Sequence, residues 1–232
     1  MVNRELSLLR SIFNYARRCG YVTRSPFEQG EGLISLADEV KRDRILTPEE
    51  EARLLDQCTG RRKHLRAIII AAADTALRKG ELLALRWSDV DFVEGVINIR
   101  MTTTKTRKAR TIGITARLWT ELDQLRQGRE PEPEDYVFGG IKECKRSFAG
   151  ACKDAGITGL RFHDLRHTGT TRIVSTGLPS ALAMEVTGHT QFATFKRYVN
   201  VDTDAARQAA ALLDQLNENK EEEKPAEKNY IN

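Results

Sequence analysis

Val96-Ile97-Asn98-Ile99 and Arg110-Thr111-Ile112-Gly113-Ile114 are the two runs on which the fold class turns. Both concentrate or alternate β-branched residues, and they flank a polar, basic tip from Thr103 to Ala109. That pattern predicts an antiparallel hairpin, with Asp89 to Phe92 as a short neighbouring strand. Outward from the hairpin the periodic stretches are helical. Ahead of it, residues 63 to 73 and 78 to 86 read as helices. After it come helices at about 115 to 127, 142 to 155, 163 to 176, 179 to 187 and 191 to 199, then an Ala- and Leu-rich one from Asp204 to Leu216. The expected fold class is mainly α with a small antiparallel β-sheet, an α+β domain.

That domain has a marked beginning. In Thr47-Pro48-Glu49-Glu50 the threonine can cap a helix, the proline fits its first turn, and Glu50 can reach back to the cap N–H. Further upstream, Leu6, Leu9, Ile12, Phe13 and Ala16 make an amphipathic helix over residues 4 to 18, ended by Gly20. A single helix cannot bury its own stripe, so residues 1 to 24 read as the last helix of an N-terminal domain. Residues 25 to 44 lose the periodicity, carry Pro26, Gly30 and Gly32, end in the run Lys41-Arg42-Asp43-Arg44, and read as a linker. The main domain is expected over residues 45 to 216. Residues 217 to 232, with Glu221-Glu222-Glu223 and Pro225, read as a disordered charged tail.

A chain of 232 residues, 40% hydrophobic and 30% charged, belongs with ordinary soluble proteins. Its longest apolar run, around Leu65 to Ala73, falls well short of the roughly 18 residues that cross a bilayer. Met1-Val2-Asn3-Arg4 does not open a signal peptide. A cytoplasmic protein with no membrane association is expected. The net charge is +4, and the tail holds five glutamates against three lysines, leaving +6 on the rest of the chain. That excess suits a polyanionic partner. Cys19, Cys58, Cys144 and Cys152 form no CxxC pair and have no metal-ligand spacing, so free thiols are expected.

Six residues stand out as candidates for chemistry: Arg78, Lys105, His163, Arg166, His189 and Tyr198. Each has an ordinary reading when taken alone. Arg78 could be a solvated helix-start residue, Lys105 a solubilising lysine at a hairpin tip, and Tyr198 an aromatic at the edge of the core. His163 and His167, four apart, could face one metal, but Asp164 replaces the glutamate of helix-borne zinc motifs and Arg166 projects nearby. A structural, hydrogen-bonded histidine is the plainer reading of His167. Gly177 to Tyr198 also has the look of a helix-turn-helix, the best non-enzymatic reading of that stretch.

Together, the six make a complete set for metal-free phosphodiester cleavage, with no small-molecule cofactor expected. Arg78 and Arg166 can each present two parallel N–H groups to the non-bridging oxygens, where charge grows in the five-coordinate transition state. A phenol of reference pKa about 10 is ionised about one part in a thousand near neutral pH, a deficit of roughly 4 kcal/mol that a base must supply. His163 is the candidate base for Tyr198. Lys105 is the candidate acid for the departing 5′ oxygen, and His189 is a candidate to hold a phosphate oxygen.

At these residues the sequence resembles the phage-integrase family of tyrosine recombinases, over about residues 45 to 216. The first-arginine box is similar to Thr75-Ala76-Leu77-Arg78-Lys79-Gly80-Glu81-Leu82-Leu83-Ala84-Leu85-Arg86-Trp87-Ser88-Asp89-Val90, and the hairpin lysine to Thr104-Lys105-Thr106. The third box resembles His163-Asp164-Leu165-Arg166-His167-Thr168, and the closing one Thr187-Gly188-His189 followed by Tyr198. Ala76 departs from the family's usual glycine. The resemblance implies a tyrosine recombinase catalytic-domain fold, a 3′-phosphotyrosyl intermediate at Tyr198 with a free 5′ hydroxyl, and rejoining without ATP or divalent metal. Glu81 would orient the helix of Arg78. Double-stranded DNA would be the substrate, and the protein would be one of a phage or mobile element. A homo-tetramer on DNA would exchange the 204 to 216 helix between copies. A non-catalytic helix-turn-helix regulator and a type IB-like topoisomerase stay open as alternatives.

Overall fold

Thr47 and Glu50 form the expected reciprocal cap: the Glu50 backbone N–H donates to the Thr47 hydroxyl at 3.2 Å, and the Thr47 N–H donates to the Glu50 carboxylate at 3.2 Å. With Pro48 in the first turn, α2 (Pro48–Asp56) starts where the sequence says it should. A computed structural model describes residues 2–28, 43–101, 108–127 and 131–199. The chain divides into two units, Met1–Asp43 and Arg44–Asn232. In the first, α1 (Val2–Arg18) is followed by a turn that lays Phe27 against Phe13, ring centroids 6.2 Å apart. Leu8, Leu9, Ile12 and Tyr15 on this helix are exposed.

The second unit is built around α3 (His64–Thr75), in which Leu65 and every residue from Ala67 to Ala73 are buried. A helix apolar all round needs cover on all sides, and α5 (Ala116–Arg126) and α7 (Phe162–Ser175) both pack on it. Gly169 lets α7 approach. A Cβ there would stand 2.7 Å from the Ala73 carbonyl oxygen and 3.0 Å from the Ala76 nitrogen, both backbone atoms that cannot step aside. Gly169→Ala is therefore expected to lower stability by about 1–3 kcal/mol, the usual cost of overpacking. Denaturant unfolding checks it, and an unchanged midpoint would contradict so close a helix contact.

The remaining helices are α4 (Lys79–Leu83), α6 (Lys145–Asp154), α8 (Ser180–Thr187) and α9 (Phe192–Phe195). One antiparallel sheet holds β1 (Val90–Asp91), β2 (Val96–Ile99) and β3 (Arg110–Gly113), in that order. Ile97 pairs with Ile112 and Ile99 with Arg110. Ile97, Ile99 and Ile112 point into the core with Leu118, Leu122 and Leu165. The mainly α architecture with a small antiparallel sheet is thus as expected.

Several boundaries differ. The helix read over 78 to 86 is confined to α4, because the Asp89 carboxylate takes the Arg86 N–H at 2.9 Å and starts a new turn at Trp87. The helix read over 142 to 155 begins at Lys145, where the Glu143 side chain accepts the Cys144 and Lys145 N–H groups. The helix read over 191 to 199 is one α turn followed by a tight turn, Lys196–Tyr198. The helix expected at 204 to 216 and the tail at 217 to 232 lie outside the described residues, as does most of the 25 to 44 segment. Among the described residues no helix is long and apolar enough to cross a membrane. The four cysteines are free, and all but Cys19 are buried.

Candidate active site

α3 ends at Ala76 in the left-handed conformation, with φ 52° and ψ 24°. A non-glycine residue there costs about 1 kcal/mol, which accounts for the glycine the resemblance leads one to expect at this position. The left-handed turn releases Arg78 into extended backbone just before α4. Glu81, 2% exposed, then takes hold of it twice: Arg78 Nη1 donates to Oε1 at 2.9 Å and the Arg78 N–H to Oε2 at 3.2 Å.

The opposite wall comes from the turn after α8. Gly188 closes that helix in the left-handed conformation, with φ 69° and ψ 36°, and leaves the carbonyls of residues 187 and 188 turned to the arginines. Arg166, buried on α7, donates to the Ala76 carbonyl at 2.5 Å and to the Thr187 carbonyl at 2.7 Å. Arg78 Nη2 donates to the next carbonyl, that of Gly188, at 2.8 Å. Two guanidiniums 88 positions apart in the chain thus end on consecutive peptide units.

His189 and Tyr198 close the group. The Thr187 hydroxyl gives its proton to the Ala183 carbonyl at 2.7 Å, so it can only accept from His189 Nδ1, also at 2.7 Å. Neutral His189 therefore carries its proton on Nδ1. Phe195, fully buried, sits under both the His189 and Tyr198 rings, with centroids at 5.4 and 5.9 Å. The Tyr198 hydroxyl meets His167 Nδ1 in a hydrogen bond. Arg197 Nη2 lies 3.1 Å from the same nitrogen and 3.2 Å from Nε2.

Of the six candidates, Arg78, Arg166, His189 and Tyr198 are brought together. His163 is one turn of α7 back from His167, with its ring edge-on to the His167 ring at 5.0 Å. The ring that touches the phenol is that of His167, which the sequence reading left as structural. Lys105 lies outside the described residues. No group of three or more His, Cys, Asp or Glu that could hold a metal forms among the described residues, so the His163/His167 pair gains no further ligand there. The helix-turn-helix reading fails on geometry: α9 is only four residues long and its Phe195 is turned inward, leaving no recognition helix to enter a groove.

The electrostatics are those of a site short of negative charge. Burial, and after it Arg78, pushes the Arg166 guanidinium down to about 10, still a cation at neutral pH. Burial followed by Arg197 pushes His167 down to about 4, and burial followed by Arg166 does the same to His189. His163 is lowered by burial and Arg166. For Glu81, burial works against ionisation, but Arg110 and Arg78 outweigh it and its carboxyl is held below the usual range. Arginines and neutral imidazoles around one shared carboxylate make a site suited to an anion.

A helical domain carrying a three-stranded sheet and this arginine-lined turn has the fold of a tyrosine recombinase catalytic domain. Residues 44–205 match the phage integrase family, and the chain belongs to that family. It is 32% identical over 203 residues to the shufflon-specific DNA recombinase of Escherichia coli, covering 86% of this chain and 50% of that protein. It is 25% identical to the integrase of Salmonella phage P22, over 76% of this chain and 48% of that one. The chain spans about half the length of these curated relatives. Among solved structures, the XerA recombinase matches with a TM-score of 0.58 at 26% identity, over 73% of this chain and 64% of that one. The fold also matches a Tn1549 transposon integrase in complex with a circular intermediate DNA, with a TM-score of 0.72 at 20% identity over 91% of this chain and 78% of that one.

Proposed function

We propose that this chain is the catalytic part of a site-specific recombinase that cleaves and rejoins double-stranded DNA through Tyr198. The observation that supports it best is the convergence of Arg78 and Arg166 on the consecutive carbonyls of Thr187 and Gly188, beside the His189 and Tyr198 rings. In the proposed step the Tyr198 oxygen attacks phosphorus and the bond to the 5′ oxygen breaks. The product is a 3′-phosphotyrosyl link and a 5′ hydroxyl. The phenolic proton passes to His167, whose Nδ1 already faces it, with His163 next to it as the second imidazole of the pair. Lys105 supplies the proton for the 5′ oxygen. Arg78 and Arg166 hold the non-bridging oxygens as their charge grows. Rejoining is the same path reversed, and the stored ester replaces ATP. Residues 1–24 belong, on this reading, to a DNA-clasping domain joined by a linker at 25–44 to the catalytic domain at 45–216, with a charged tail beyond. Four copies assemble on DNA by exchanging the 204 to 216 helix.

His189 gives the proposal a pH signature. Its Nδ1 proton is committed to Thr187, so Nε2 can donate to a phosphate oxygen only after the ring takes up a second proton. Without DNA the lowered histidines make acid unfavourable. The unfolded chain gains protons first, so the folded state loses stability as pH falls from about 6.5 toward 4. A bound phosphate reverses this for His189. DNA affinity is expected to rise as pH falls from 8 to 6, by at most about tenfold per unit for one proton taken up. The check is calorimetry in two buffers of different ionisation enthalpy. Binding without proton uptake would remove His189 from the phosphate.

The direct test of function is a pool of nicked duplexes of randomised sequence, incubated with the chain at low salt and then denatured. The nick lets the short 5′ fragment diffuse away and strands the intermediate. DNA retained on denatured protein is expected. Retention no greater than with heat-inactivated protein would reject the recombinase reading.

A further inference from the structure

Arg110 is buried beside this site, and the proposed step gives it nothing to do. Its side chain is 4% exposed at the first position of β3. Its Nη2 donates to Glu81 Oε2 at 2.6 Å and its Nε to the Val186 carbonyl at 3.1 Å. Its Nη1 is buried without a hydrogen-bond partner among the described residues. The backbone of Gly188 lies so close to the guanidinium that a Cβ there would stand 2.8 Å from Cζ and 3.0 Å from Nη1. If filling space were all that mattered, an apolar side chain of similar volume would avoid the desolvation of a buried cation.

What an apolar side chain could not do is occupy one oxygen of Glu81. The carboxylate is divided: Oε1 accepts from Arg78 Nη1, while Oε2 accepts from Arg110 and from the Arg78 backbone. Without Arg110 the carboxylate can rotate and take both oxygens to the Arg78 guanidinium, the fork-to-fork pairing that arginine and carboxylate prefer. That would turn the donors of Arg78 inward and away from the Gly188 carbonyl.

We propose that Arg110 is a positioning residue for Arg78. By holding one Glu81 oxygen and seating Gly188, it keeps Arg78 Nη1 on Glu81 and Nη2 on the Gly188 carbonyl, so that the N–H groups these bonds leave over are turned to the scissile phosphate. It also ties β3, five residues after Lys105, to the turn that bears His189. The inference rests on the recombinase reading above, so it is tested in two ways.

Arg110→Met removes the charge at similar volume, and Arg110→Lys keeps the charge without the fork. The first readout is the Arg78 Nε–H signal in NMR spectra of the parent and variants without DNA. It is expected to shift in both, and an unmoved signal in every folded variant overturns the inference whether or not the chain cleaves DNA. The second is single-turnover cleavage of a nicked duplex recovered from the randomised pool. Arg110→Met is expected to slow it about 100-fold and Arg110→Lys about tenfold, with little change in DNA affinity. Adding Arg110→Met to Arg78→Lys should slow cleavage no further than about twofold, because both losses run through Arg78. Losses that multiply independently would make Arg110 merely structural. If Arg110→Met does not fold, Arg110→Lys carries both readouts. A parent that forms no adduct would refute the recombinase reading and leave the NMR result to decide the role of Arg110.

Discussion

Tyr198→Phe is expected to bind DNA as the parent does and to form no covalent adduct. The substitution removes one oxygen from a half-buried ring whose packing comes from Phe195 and the His189 and His167 rings. None of those contacts needs the hydroxyl, so fold and affinity should hold. In the proposed step the hydroxyl is the attacking atom, and no neighbouring group would stand in for it at the same place. Adduct at the parent level would mean that another residue attacks. Loss of DNA binding along with the adduct would mean that the variant had lost its fold.

The second large effect is at Arg166. Arg166→Lys keeps the charge but offers a single donor head where the guanidinium spans the Ala76 and Thr187 carbonyls. One of those buried carbonyls loses its donor, and the cation no longer faces phosphorus in a planar fork. Single-turnover cleavage is expected to fall about 10³-fold, as for loss of a preorganised oxyanion donor. DNA affinity should fall far less, because one phosphate contact among many is altered. A rate within about tenfold of the parent would show that a point charge suffices and that the fork geometry is incidental.

How far the sequence anticipated this arrangement depends on the range of the interaction. Short-range signals were legible: the Thr47 cap, the β-branched hairpin and the break at Gly188 are each decided within a few residues. The hairpin runs also held a sign that is plain only in retrospect. In β3 the inward positions are Arg110 and Ile112, alternating with the outward Thr111 and Gly113. An arginine on the inward side of a strand announces a buried partner, and here the partner is Glu81, 29 positions away.

The contact of His167 with Tyr198 was illegible for a different reason. The spacing of His167 from His163 suits a structural histidine as well as a metal ligand, whereas on α7 the two rings stack edge to face and the second reaches Tyr198. Which of two histidines on one helix face meets a phenol 31 positions later is set by how the segment after α8 folds back, and periodicity does not carry that information. Helix ends were misplaced where side chains compete for backbone donors, as Asp89 does at Arg86 and Glu143 at Lys145.

The most direct test of the phosphotyrosine chemistry is to find the atom that carries the DNA. Adduct from the nicked pool is digested with nuclease and protease, and the peptides are read by mass. The expected result is one modified peptide containing Tyr198, bearing a nucleotide through its 3′ phosphate, with a 5′ hydroxyl on the released strand. A nucleotide on any other residue, or a link through a 5′ phosphate, would contradict it.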